Sequence, residues 1–283
     1  MHLSALQSDQ GMFSILEFDV GYQLADLLGL DVNVTGGIDQ FNLVFRDLIT
    51  HLANRPAAVA ADSTYSLPLL LGDIEKGLIL RLDQVVKKTP LETVPQLAAN
   101  WGVDEIANNY GIAKLELWYH PAEEKSLDKK RMVAELYEYC QHEGIDLLLK
   151  LNIYTLPDES KEQVVFQETQ LRAIQELRSS CHLLSIQYPG DALAAATITA
   201  EADQPWIISL SSQDYEQNKQ HLRTVLENGA KGFAIGDGLW HEMGSLRQAD
   251  ESPDLSAIQT FIETTVRDRM IELVRITNEL SPK

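Results

Sequence analysis

Ile145-Asp-Leu-Leu-Leu-Lys-Leu-Asn-Ile-Tyr154 places one lysine, Lys150, in the middle of a largely apolar run. The run is short, rich in Leu and Ile, and bounded by Gly144 and Pro157. That pattern reads as a strand covered on both faces, as in a parallel sheet. Desolvating an ammonium there is costly, so Lys150 must either pair with a carboxylate or titrate below its ordinary value. Working outward, runs of the same kind recur with room for a helix between them. They are Leu3 to Ser8, Ala57 to Asp62, Gly77 to Asp83, Ile112 to Tyr119, Asp146 to Tyr154, His182 to Tyr188, Pro205 to Ser211 and Gly232 to Gly236. Strands alternating with helical segments imply parallel βαβ units, and eight of them make a single closed (β/α)8 TIM barrel, a fold of about 250 residues. An open doubly wound sheet is the alternative, but no Gly-x-Gly-x-x-Gly follows the first run.

The segments between the runs carry helical signals. Asp128 to His142 is amphipathic, with Ser126 as its candidate cap, and Gln163 to Ser179 is a second helix. Asp214 to Glu227 stops at Asn228-Gly229, and Leu255 to Leu280 reads as a long terminal helix after Ser252-Pro253-Asp254. Between the first two runs lies more chain than one crossover needs. Phe13 to Leu28 is apolar-periodic, Gly36-Gly37 is a break, and a helix follows near Ile38 to Ala53. With no linker-like composition anywhere, residues 1–283 read as one domain with an enlarged first βα unit, about 13–55, and a C-terminal helix, about 255–280.

At 283 residues with 45% hydrophobic content, the chain can bury a sizeable core. Forty-two acidic against 23 basic residues give a formal charge of −19, which argues against nucleic acid or an anionic membrane as partner. Cys140 and Cys181 lie far apart without metal-ligand spacing, so neither a disulfide framework nor a zinc site is expected. No basic cluster precedes an apolar run near the start, and no apolar stretch reaches spanning length, so a cytoplasmic protein without a signal peptide is expected. A homo-oligomer remains compatible with all of this.

The active site of such a barrel lies at the carboxyl ends of the strands. Polar residues late in the runs are Asp9, Asp62, Arg81, Asp83, Lys114, Glu116, Lys150, Asn152, Ser185, Gln187, Ser211 and Asp237. Alternation puts Lys114 with Glu116 on one face of the fourth strand, and Lys150 with Asn152 on one face of the fifth. If both faces point inward, two ammonium groups share a pocket, and burial with like charge would lower their pKa values. The bland counterpart is an inert interior ion-pair network. His120 is read as a solvated loop residue, Trp240 as packing under a loop, and Cys181 as inert at the amino end of its strand.

These residues resemble the class I, Schiff-base tagatose-1,6-bisphosphate aldolases and their bacterial relatives. Ser4-Ala5-Leu6-Gln7-Ser8-Asp9-Gln10 is similar to the family's Ala-Leu-x-x-Asp-Gln-Arg, and Asp62-Ser63-Thr64-Tyr65-Ser66-Leu67-Pro68 to its Asp-Pro-x-Tyr-Gly-Leu-Pro. Ala113-Lys114-Leu115-Glu116-Leu117-Trp118-Tyr119-His120-Pro121 is similar to its Val-Lys-x-x-x-Tyr-Tyr-x-Pro. The chain departs from the pattern where the family has a glutamate on the fifth strand, here Lys150, and the Schiff-base lysine on the sixth, here Ser185. Gly236-Asp237 stands where a Gly-Arg would hold a phosphate, and a carboxylate repels what a guanidinium would pair with.

The resemblance implies a carbon–carbon lyase acting on a sugar or sugar phosphate, and because Ser185 stands where the family's lysine would, Lys150 is read as a relocated nucleophile. Lys114 would lower its pKa, and Asp9, with Asp62 or Glu116, would move protons. Gln10, Arg81, Ser185, Gln187, Ser211, Gly236 and Asp237 would contact substrate. The protonated imine is the electron sink, so no cofactor and no metal is expected. Two other readings compete: a catalytically silent barrel kept for sugar binding or regulation, and a metal-dependent lyase using Asp9, Asp62 and Asp83.

Overall fold

The computed structural model describes residues 2–70, 72, 76–85, 91 and 93–281. Eight parallel strands close in sequence order, each hydrogen-bonded to the next and the last to the first. They are β1 (Phe13–Glu17), β2 (Ala58–Ala61), β3 (Gly77–Arg81), β4 (Ile112–Tyr119), β5 (Leu147–Ile153), β6 (Leu183–Ile186), β7 (Trp206–Leu210) and β8 (Gly232–Ile235). The helices are α1 (Gly21–Leu28), α2 (Thr35–Leu52), α3 (Leu67–Leu70), α4 (Val103–Asn108), α5 (Ser126–His142), α6 (Gln163–Leu177), α7 (Ala192–Glu201), α8 (Tyr215–Glu227), α9 (Leu255–Phe261) and α10 (Arg267–Glu279). A π-helical turn, Ile262–Val266, joins the last two.

Side-chain alternation divides the core in two. Phe13, Ile15, Ala58, Ala60, Ile79, Ile112, Leu148, Leu183, Ile207 and Ala234 form an inner apolar cluster, separate from the larger one between strands and helices. Two residues further along each strand, the same inward face carries Glu17, Asp62, Arg81, Lys114, Lys150, Ser185, Ser209 and Gly236. The barrel is therefore plugged with hydrocarbon at its amino end and polar at its carboxyl end.

The first strand is not Leu3 to Ser8. Leu3–Leu6 is a 3-10 turn whose Leu6 is fully buried in the inner cluster, so the segment caps the barrel floor from below. The spacing of Leu3 and Leu6 suits one turn of helix, with both on one side. A turn over Ser8 to Met12, with Gly11 at φ 74°, then feeds Phe13–Glu17 into the barrel. Closure is tight at the other partner: Gly232 has φ 145°, and a Cβ there would lie 1.8 Å from the Phe13 carbonyl oxygen. Only glycine fits.

The remaining corrections are local. Phe13 to Leu28 splits into β1 and α1, and Gly36-Gly37 sits inside the first turn of α2, where Gly37 crowds the Asp31 carbonyl. Ser126 is the first residue of α5 rather than its cap. Asp214 and Asp254 do cap their helices, accepting from the N–H groups of Glu216 and Ala257 at 2.9 and 3.0 Å.

Candidate active site

A cavity of about 250 Å³ opens at the carboxyl end of the barrel, with Glu17, Asp19, Arg81, Glu116, Lys150 and Asp237 among its lining. Its floor is a chain of alternating charges. Lys114 Nζ donates to Glu17 Oε1 at 2.6 Å and Asp19 Oδ2 at 2.7 Å. Lys150 Nζ donates to both oxygens of Glu17, at 3.0 and 2.9 Å. The two lysines thus share one carboxylate. On the far side, Arg81 donates through Nε and Nη2 to Asp83 Oδ2 at 2.9 and 2.6 Å, and its Nη1 lies 3.0 Å from Glu116 Oε2. Asn152 Nδ2 donates to Glu116 Oε1 at 2.9 Å, and the Glu116 N–H donates to Asp83 Oδ1, so β3, β4 and β5 are tied together at the cavity wall.

These pairings decide the protonation states. Burial pulls the Lys150 ammonium towards neutrality, but the carboxylates of Glu17, Glu116 and Asp19 outweigh it, and its pKa rises above the ordinary lysine value. Burial likewise raises Glu17, yet Lys114 and Lys150 overcome it and hold the carboxyl well below the usual range. Glu116 follows the same logic: burial is outweighed by Lys150 and Arg81, and the net shift is downward. Asp83 goes the other way, because burial and the neighbouring Glu116 exceed the pull of Arg81. The expectation that Lys114 and Lys150 depress each other's pKa is therefore corrected for Lys150: a shared carboxylate lies between the cations.

Of the residues singled out in the sequence, Arg81, Glu116, Lys150, Asn152, Gln187, Ser211, Gly236 and Asp237 line the cavity, and Lys114 lies directly beneath. Asp237 is exposed at the rim, although the surrounding wall still takes enough of its hydration to raise its pKa. Gln187 uses its side-chain oxygen to accept from the Ile153 N–H at 2.7 Å. Ser185 is fully buried, pairs in register with Lys150, and its hydroxyl has no hydrogen-bond partner.

Ser185 therefore does not line the cavity, and three more residues fall out. Asp9 and Gln10 are exposed beyond the opposite, amino end of the barrel, where Asp9 borders a separate cleft with Arg55 and Lys76. The aspartate that follows the first strand is Asp19. Asp62 is buried and fully engaged in a turn: Oδ1 accepts from the Thr64 and Tyr65 N–H groups at 2.8 and 2.7 Å, and Oδ2 from Ser66 Oγ at 2.9 Å. Burial raises its pKa, and it does not line the cavity.

His120 is also not solvated; it is buried, with Nε2 3.0 Å from Glu159 Oε2. Trp240 is buried beside Phe18, as a residue packed under a loop would be. Glu17 and Asp19, at the centre of the site, are the residues that sequence reasoning missed. Alternation through Phe13, Ile15, Glu17 and Asp19 was the available signal, hidden because that segment also has helical periodicity.

With Asp9 at the other end of the barrel, the carboxylate trio of the metal-dependent reading is not assembled. No group of three metal-ligating side chains occurs among the described residues, and no helix there is long and apolar enough to cross a membrane.

No protein-family model matches the sequence, and no curated protein matches it. Solved structures do match. An archaeal fructose-1,6-bisphosphate aldolase, with its catalytic lysine bound as the carbinolamine intermediate, is 17% identical with a TM-score of 0.66, covering 98% of each chain. The fructose-bisphosphate aldolase of Plasmodium falciparum is 13% identical with a TM-score of 0.68, over 99% of this chain and 93% of that one. That of Slackia heliotrinireducens is 13% identical with a TM-score of 0.62, over 94% and 86%. At these identities the likeness is one of fold.

Proposed function

We propose that the protein is a carbon–carbon lyase of aldolase type that activates a small hydroxylated carbonyl compound as an imine on Lys150. The observation that carries the reading is the position of this lysine. It lies directly opposite Ser185 in the β5–β6 register and faces the cavity, whereas Lys114 is sealed below it. The fold likeness to an aldolase trapped as a lysine carbinolamine adds support by analogy.

In this reading Lys150 loses a proton to solvent, and the freed amine adds to the carbonyl carbon. The carbonyl oxygen takes up protons and leaves as water, giving a protonated imine. Glu116 removes the proton of the β-hydroxyl, the Cα–Cβ bond breaks, an aldehyde departs, and the bonding electrons pass to the imine nitrogen as an enamine. Protonation of the enamine carbon and addition of one water to the resulting imine release the ketone fragment and return the free lysine. Lys114 acts indirectly, by sharing Glu17 and so weakening its hold on Lys150. A sugar bisphosphate, whether of tagatose or fructose, is disfavoured as substrate because Asp237 stands at the mouth.

One observation favours a second reading. Glu17 holds Lys150 protonated in the resting state, so a sugar-binding barrel without chemistry fits the same geometry. Borohydride reduction with dihydroxyacetone, read by mass spectrometry, separates the two. Labelling of Lys150 is expected to rise from pH 7 to pH 9, since the neutral amine grows about ten-fold per pH unit below its pKa. Lys150→Met is expected to abolish it. Absence of label at either pH, or label on Lys114, rejects the imine and leaves the binding reading.

A further inference from the structure

The cavity's polar groups are unevenly matched. Each of its cations already faces carboxylates: Lys114 holds Glu17 and Asp19, Lys150 holds Glu17, and Arg81 holds Asp83 and Glu116. A ligand phosphate or carboxylate would have to break one of these pairs to gain another. On the acceptor side there is surplus. Asp237, at the rim, feels the charge of Lys150 but forms no close ion pair among the described residues, and Asp19 Oδ1, on a side chain only 1% exposed, is buried without a hydrogen-bond partner. The unused capacity of the pocket is thus for hydrogen-bond donors and positive charge. At about 250 Å³ it is smaller than the roughly 300 Å³ where pockets for drug-sized ligands begin, so the occupant is compact.

We propose that this pocket selects a polyhydroxylated ligand carrying a protonated amine, with Asp237 pairing the ammonium at the rim and Asp19 Oδ1 accepting from a donor group that reaches the floor. Amino sugars and amino-ketoses have this chemistry. A neutral sugar supplies the hydroxyl donors but leaves Asp237 unpaired, and a sugar phosphate adds repulsion at the same carboxylate. The inference deepens the proposed function by naming the ligand class of the same pocket.

It can be tested without any carbonyl. Glucamine, glucitol and glucitol 6-phosphate share one carbon frame, differ in charge, and cannot form an imine, so their binding is independent of whether Lys150 reacts. Calorimetric titration at pH 7 is expected to show glucamine binding roughly two- to five-fold tighter than glucitol, the range of an exposed ion pair, and the phosphate weakest. Asp237→Asn is expected to bring glucamine and glucitol to near parity, and Asp237→Arg to reverse the order in favour of the phosphate. Equal affinity for glucamine and glucitol in the unaltered protein, tighter binding of the phosphate, a preference that survives Asp237→Asn, or no binding of any of the three would overturn it.

Discussion

Glu17 has two ammonium groups on its carboxylate and almost no contact with water, so its charge is tied to both Lys114 and Lys150. Glu17→Gln would leave two buried cations short of a partner. The expected loss is roughly 3–5 kcal/mol at pH 7, read from denaturant unfolding. The pH dependence follows from the directions of the shifts. Glu17 titrates below its ordinary 4.5 in the folded protein, so its contribution is complete above that value and drains as pH falls. Lys150 titrates above its ordinary 10.5, so its contribution is complete below that value and is lost as pH rises through the folded pKa. Asp83, with a raised pKa, opposes the acid loss, because its protonated form is the one that folding favours. Stability should therefore fall more gently on the acid side in Glu17→Gln than in the unaltered protein. Acid limbs of equal steepness in the two melting curves would contradict this account.

At the scale of elements, Phe13–Glu17 takes the first-strand place that the sequence reading gave to Leu3–Ser8. Leu6 plugs the barrel floor, and Leu6→Ala is expected to cost roughly 2–5 kcal/mol through the cavity it opens, measured as a shift in urea midpoint. Asp9→Ala, on the exposed turn just beyond, should change stability by less than about 0.5 kcal/mol and leave borohydride labelling of Lys150 intact. Loss of labelling in that variant would return Asp9 to the site. The exit of β4 is held from outside the cavity: fully buried Lys129 donates to the Trp118 carbonyl at 2.7 Å and to Glu123 Oε2 at 2.6 Å. Helix α5 thereby fixes the strand that carries Lys114 and Glu116.

For the whole molecule, the formal charge of −19 sets surface carboxylates against one another, while the barrel's own ion pairs are buried and little screened. Raising sodium chloride from low ionic strength to about 0.15 M, where the Debye length is about 8 Å, should therefore raise the melting temperature. A lower melting temperature would mean that the salt-sensitive part of the electrostatics is net attractive.

Seven strands were legible because each is a compact apolar run with turn residues on both sides; β4, for example, spans Ile112–Tyr119 in both the reading and the structure. From eight such runs and the intervening helices, the sequence alone determined a closed parallel barrel, and alternation put Lys114 with Glu116 on one face of β4 and Lys150 with Asn152 on one face of β5, while their turning inward was left to the fold. Which run closes the barrel was decided only in three dimensions. Leu3–Ser8 and Phe13–Glu17 have similar local patterns, and the choice rests on which one meets β2 and β8 and brings Gly232 against Phe13. The charge state of Lys150 was decided there too. A pKa depends on what stands within a few ångströms, and Glu17 lies 133 positions away along the chain.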